Sequence, residues 1–154
     1  MTLAILKERF SVCRLDCVCQ VDMEKPFPFL SVTDEEVSLV CPEEYVPHQC
    51  IKRENGWRAL KVQGVLDFSL TGILAGLCGV LAENGIAVFA ISTFNTDYLL
   101  CREEAFPHAV QALENAGYTV FKPKRVKSEQ SPIKKKPPVI WRQFPVHILF
   151  SAVN

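Results

Sequence analysis

The sequence has no net charge, only three histidines and no apolar run long enough to cross a membrane, and each shortage excludes a class of function. The longest uncharged apolar stretch, residues 72–82, falls well short of the roughly 20 residues that a bilayer-spanning helix requires. Met1 to Leu6 is apolar but has no basic lead, and Lys7, Glu8 and Arg9 interrupt it before a signal-peptide core can form. A cytoplasmic protein with no membrane partner is therefore expected. His48, His108 and His147 are scattered and share no local motif with a nucleophilic Ser or Cys. There is no Gly-x-Ser-x-Gly, no phosphate-binding Gly-Lys loop and no dinucleotide fingerprint. No catalytic residue and no cofactor is expected. Seven cysteines are an odd number, and without an export signal they read as reduced thiols. Cys13-x3-Cys17-x-Cys19 does not match a structural zinc pattern and has no histidine nearby, so no metal is expected.

The 154 residues suffice for a folded body without metal or disulfide, because a chain of that length buries roughly 70% of its unfolded surface. Its 49% hydrophobic and 22% charged residues are an ordinary globular composition. The seventeen basic and seventeen acidic residues are unevenly placed. Residues 1–121 carry 9 basic against 16 acidic side chains, whereas residues 122–142 carry 8 against 1. An acidic body is a poor surface for nucleic acid, and any such binding would run through the basic segment and be steeply salt-dependent.

An internal repeat organises the chain. Residues 29–44 (FLSVTDEEVSLVCPEE) lie on residues 89–104 (FAISTFNTDYLLCREE) without a gap, at an offset of 60. Phe29/Phe89, Cys41/Cys101, Glu43/Glu103 and Glu44/Glu104 are identical. Each copy reads as strand, polar turn, strand, then an acidic start to the next element.

The second copy is the fuller one. Residues 57–64 alternate as a strand, with Trp57, Ala59 and Lys61 on one face and Leu60 and Val62 on the other. A helix follows over about 71–84, with Ile73, Leu74, Leu77, Val80 and Leu81 on one face. Ser69 or Thr71 suits its N-cap and Gly85 its C-terminal stop. Strands over 86–93 and 98–101, a helix over 104–116 with Pro107 in its first turn, and a strand over 118–121 complete the order β-α-β-β-α-β, a ferredoxin-like split unit. In the first copy residues 9–15 form a strand, but 16–28 and 42–55 are too short or proline-rich for full helices. The expected class is α+β: two ferredoxin-like βαββαβ units sharing one body, the first (1–61) degenerate and the second (57–121) complete. Residues 122–154 are expected to be a basic, disordered tail.

Polar groups that could face a ligand gather in two places. Asp67, Ser69 and Thr71 precede the first helix, where Gly72 lets backbone amides approach a carboxylate and Ile73 offers an apolar contact. Gly76 and Gly79 lie inside that helix, each costing it about 1 kcal/mol relative to Ala, which points to close packing on the sheet. Thr93, Phe94 and Asp97 border the second turn, where turn chemistry alone also accounts for Asp97.

The runs LDFSLTGI (66–73) and GIAVFAISTFNTD (85–97), with SVTDEEVSLVCPEE (31–44) and GWRALKVQG (56–64), resemble the ACT-domain family over about residues 3–121. The likeness is to the ACT domains of the eukaryotic cytosolic arginine sensor and, more closely, to short bacterial proteins with paired ACT domains. It implies a non-catalytic regulatory module that binds an amino acid, arginine or another basic one, between the 67–73 turn and the 93–97 hairpin. A chain of this size would complete such a site in a homodimer. By the same likeness Asp97 matches the carboxylate that holds the arginine guanidinium, while Thr93 offers backbone groups and Phe94 a ring. Asp67 falls at a ligand-contacting glycine, and Leu70 replaces a ligand-contacting glutamate. The competing readings are a ligand-free interaction module and a weak nucleic-acid binder through the basic tail.

Overall fold

The computed structural model describes residues 1–64 and 72–121. Along the chain run β1 (Thr2–Leu15), a 3-10 turn (Val18–Gln20), β2 (Phe29–Val32), β3 (Val37–Pro42), a second 3-10 turn (Glu43–Tyr45) and β4 (Lys52–Val62). Then follow α1 (Ile73–Glu83), β5 (Phe89–Ser92), β6 (Asp97–Arg102), α2 (Phe106–Asn115) and β7 (Thr119–Phe121). All seven strands form one sheet in the order β2-β3-β1-β4-β6-β5, with β7 parallel to the start of β1.

The repeat is realised at atomic register. In the first hairpin Phe29 pairs with Val40 and Val32 with Val37; in the second, Phe89 pairs with Leu100 and Ser92 with Asp97, the same pairing displaced by 60. Both turns open on threonine, and Thr33 N–H donates to Glu36 O as Thr93 N–H donates to Thr96 O, each at 2.9 Å. A threonine hydroxyl satisfies turn groups locally, which fixes the loop length and so the register.

Between the hairpins lie β1 and β4, paired antiparallel with Phe10 opposite Trp57. Both are longer than the sequence pattern suggests: β1 starts at Thr2 rather than near Arg9, and β4 at Lys52 rather than Trp57. Their extra length serves the other half of the sheet. Arg14, Cys13 and Val12 pair with the added residues Lys52, Arg53 and Glu54, while Leu3 and Ile5 pair with Val62 and Leu60. The last strand consequently lies against β1 and not against β4, because the first residues of β1 already occupy that position.

The sheet is strongly curled. Phe29 of β2 meets Tyr98 of β6 with ring centroids 4.9 Å apart, although three strands separate them. In a flat sheet at about 4.8 Å per strand they could not touch. The concave face closes over Phe10, Val40, Ala59 and Leu100, all essentially inaccessible. On the opposite face α1 and α2 cover Leu3, Leu60, Val62 and Leu99 with Leu77, Leu81 and Leu113. Each such side chain contributes about 1.5–3 kcal/mol on burial. In the first half the two 3-10 turns and their loops stand where helices would, over the smaller cluster of Cys13, Leu15, Leu39 and Cys41.

Both helices end as the glycines predict. Ile86 N–H donates to Leu81 O and Gly85 N–H to Ala82 O; Tyr118 N–H donates to Leu113 O and Gly117 N–H to Glu114 O. These are Schellman motifs with glycine at φ +69° and +89°. The first of them consumes Gly85 and Ile86, which is why β5 begins at Phe89 and not at Ile86. Close packing on the sheet does not explain the glycines inside α1. A Cβ at Gly79 would meet nothing within 4 Å, and one at Gly76 would meet only the Tyr118 hydroxyl at 3.2 Å. The seven thiols are not all reduced either: Cys17 and Cys19 are joined, because the 3-10 turn at Val18–Gln20 folds their Cα atoms to 5.2 Å apart. No described helix is long and apolar enough to cross a membrane.

Candidate functional site

The second hairpin is tied to the end of β4. Thr96, 5% exposed, donates its hydroxyl hydrogen to Val62 O at 2.7 Å. Val62 is the last residue of β4, so this bond sets the 93–96 turn at the sheet edge from which the chain departs toward α1. Thr93 spends its own hydroxyl on Thr96 O at 2.8 Å, closing the turn from inside. Phe94 stands at the apex, 78% exposed. Asp97 opens β6, half-buried and opposite Ser92. Its carboxylate faces α1: together with burial, the larger effect, it raises the Cys78 thiol above its ordinary pKa.

Gly72 is the N-cap of α1, left-handed at φ +80°, and its carbonyl accepts the first helical bond from Gly76 N–H at 2.8 Å. Among the described residues no side chain caps this helix, and its first turn carries no acidic residue. The expected Ser69 and Thr71 caps, like Asp67 and Leu70, lie outside the described residues. Ile73 follows as the first helical residue, half-buried against the core shared by α1 and α2. Of the expected site residues, then, Thr93, Phe94 and Asp97 share one turn, and Gly72 and Ile73 begin the helix that Asp97 faces.

Two positions escaped the sequence reading. Thr96 is not among the residues singled out from sequence, yet it is the anchor; its counterpart Glu36 stands in an exposed turn with its amide on the Thr33 hydroxyl. Cys78 is absent from the apolar face read from sequence, yet it lies within electrostatic reach of Asp97. Comparing the copies gives the signal that was available: positions 36 and 37 are Glu and Val, positions 96 and 97 Thr and Asp. The first copy has neither the buried hydroxyl nor the carboxylate, so the polar constellation belongs to the second alone.

A second concavity, about 200 Å³, is lined by Glu8, Arg9, Pro42, Glu43 and Glu44. Its side chains are already used in holding the halves together: Arg9 pairs with Glu103 at 2.7 Å, and Glu43 accepts the Gly56 amide at 2.8 Å. Among the described residues no group of three or more His, Cys, Asp or Glu side chains is arranged to hold a metal ion.

Residues 52–115 match the ACT domain as a family. Among solved structures the chain is similar to Atu0741 from Agobacterium tumefaciens, at 31% identity and a TM-score of 0.71, covering 80% of this chain and 93% of that one. It also shares its fold with aspartate kinase from Synechocystis, at 15% identity and a TM-score of 0.60 over 82% of this chain and 28% of that one. The regulatory subunit of aspartate kinase from Thermus thermophilus, solved ligand-free, matches at 11% identity and a TM-score of 0.53 over 74% of this chain and 95% of that one. No curated protein matches the sequence.

Proposed function

The chain belongs to the ACT-domain family, and on that premise we propose that it is a non-catalytic regulatory protein of the cytoplasm that senses an amino acid. The ligand is held between the 67–73 turn and the 93–97 hairpin, and a homodimer completes the site. Residues 57–121 act as the ligand-binding ACT domain. Residues 1–61 are a degenerate copy that lends it strand β1; the basic tail expected at residues 122–154 lies outside the described residues.

One observation supports this reading: the Thr96–Val62 bond, which holds the 93–97 hairpin at the end of β4. Two features of the same place agree with it. Asp97 is half-buried and makes no ion pair with a described residue, so its carboxylate is available to a ligand cation. Gly72 opens α1 and has no side chain of its own to cap the first turn, and amides at a helix N-terminus receive carboxylates. An amino acid with a basic side chain offers both charges at once. Arginine is the foremost candidate, because a guanidinium meets a carboxylate through two parallel hydrogen bonds.

Thermal melts against the twenty amino acids test the proposal. A ligand at a hundredfold excess over its dissociation constant stabilises the folded state by about 2.7 kcal/mol. The expected result is a concentration-dependent rise with arginine or lysine that disappears in Asp97→Asn. A cooperative melt that no amino acid moves overturns the sensor reading. A rise that survives Asp97→Asn places the ligand elsewhere.

A further inference from the structure

The concave face of the sheet is closed by a loop residue. Phe27, between the first 3-10 turn and β2, packs its ring against the cluster there. The ring centroid lies 6.0 Å from Phe10, 6.3 Å from Phe29 and 6.5 Å from Tyr98, meeting Phe10 and Tyr98 edge to face. Those three rings belong to β1, β2 and β6, so Phe27 fills the space where the two ends of the curl approach. It does so under strain. Among the described residues Phe27 is the one non-glycine with a left-handed backbone, at φ +58°, where Cβ crowds the following carbonyl.

Ring contacts alone hold Phe27 in place. Its backbone N–H and C=O make no hydrogen bond with a described residue, and Pro26 before it has no N–H to donate. The loop is tethered further out, where Lys25 pairs with Asp22 at 3.8 Å and lies 5.5 Å from the Tyr45 ring centroid. Two polar groups of the same face are meanwhile unused. Lys61 Nζ, 5.8 Å from the Tyr98 ring centroid, pairs with no carboxylate among the described residues. Trp57, opposite Phe10 in the ladder, has its Nε1 inaccessible and without a hydrogen-bond partner among the described residues. Both groups are donors, so what the face lacks is an acceptor, and beside an ammonium that acceptor is an anion.

We propose that the concave face is a binding site for a small aryl carboxylate and that Phe27 is its displaceable plug. The aryl group of the ligand takes the place of the Phe27 ring against Phe10, Phe29 and Tyr98, and its carboxylate meets Lys61. A ring is the shape the space already holds, since its walls are rings set edge to face around one. Displacing Phe27 breaks no hydrogen bond of its backbone and relieves its left-handed conformation, so the ligand has only ring contacts to replace. This site is separate from the one proposed for an amino acid. Asp97 and Tyr98 are successive residues of β6 and face opposite sides of the sheet, so either proposal can fail without the other.

The test uses the full chain with Trp141→Phe, which leaves Trp57 as the sole tryptophan, and titrates it with 4-phenylbutyrate while reading Trp57 emission. The expected result is a saturable change in that emission. Phe27→Gly deletes the plug and suits the left-handed backbone, and it binds about tenfold tighter or more, because the open form no longer has to be won from the closed one. Lys61→Gln weakens binding by about tenfold or more through loss of the charge-assisted bond. The neutral 4-phenylbutanamide binds the parent as weakly as the carboxylate binds Lys61→Gln. No saturable change in either the parent or Phe27→Gly, equal affinity in the two, or an amide that binds as tightly as the carboxylate overturns the proposal. A melt of each variant establishes that it is folded; if Phe27→Gly is not, the comparison of parent, Lys61→Gln and amide decides by itself.

Discussion

Replacing Thr96 by valine isolates the anchor of the candidate site. The two side chains have the same shape, so the change removes one hydroxyl and little else. Thr96 is 5% exposed, and its hydroxyl donates to Val62 O over 2.7 Å. A hydrogen bond of this kind contributes about 0.5–1.5 kcal/mol net, but leaving its acceptor buried and unpaired costs about 1–3 kcal/mol. The valine methyl recovers part of that by burial, so a loss of about 1–2 kcal/mol is expected. With about 2.1 cal/mol/K of unfolding entropy per residue, the described body loses about 4–8 °C in Tm. The repeat supplies an internal control, since Glu36 occupies the same turn position in an exposed loop. Glu36→Val changes stability by no more than about 0.5 kcal/mol, the usual range for surface substitutions. Scanning calorimetry on the two variants decides the matter, and amide exchange at Thr93 and Asp97 reports whether the second hairpin loosens. If Thr96→Val melts with the parent, or if Glu36→Val loses as much, the anchor argument is wrong.

In α1, Gly79→Ala meets open space in a helical backbone and stabilises the protein by about 1 kcal/mol in urea denaturation. Gly72→Ala has equal room but a left-handed backbone at φ +80°, and loses about 1–2 kcal/mol in the same assay. Asp97→Asn keeps the hairpin but removes the charge that the proposed function assigns to a ligand cation. Loss of a charge-assisted bond of about 1.5–3 kcal/mol weakens binding by about 10- to 150-fold in calorimetric titration. Burial raises Cys13 and Cys101 to about 11 and Cys41 to about 12, from an ordinary 9.0. Their native forms keep protons that the unfolded chain loses, so the unfolded state binds fewer protons and stability falls as pH rises through 9 toward 11. Under reducing conditions the denaturation midpoint declines over that interval, and Cys41→Ala flattens the decline.

Reading the fold from the chain succeeded where the determinants are local. The hairpins at 29–42 and 89–102 followed from polar turns between alternating strands, and the helix ends from Gly85 and Gly117, since only a left-handed residue closes a Schellman motif without strain. Reading failed where a residue's partner lies far along the chain. The added residues of β4, Lys52 to Gly56, show no strand alternation, because Arg53 and Asn55 take their places opposite β1 through ladder bonds and polar contacts rather than apolar burial. The pairing of Cys17 with Cys19 depended on a 3-10 turn that no periodicity announces.

The same division runs through the candidate site. Sequence by itself determined the repeat, the helix stops at Gly85 and Gly117 and the difference between the two turns, because each is set by residues within a few positions of one another. Whether the 93–97 turn lies at the end of β4 depends on strand direction and order, which a pattern of apolar residues does not encode. Only the tertiary structure decided it, by running β4 and β6 antiparallel so that Val62 ends beside Thr96. The curl that brings Phe29 onto Tyr98 is likewise a property of the whole sheet, set by the accumulated twist of strands distant in sequence.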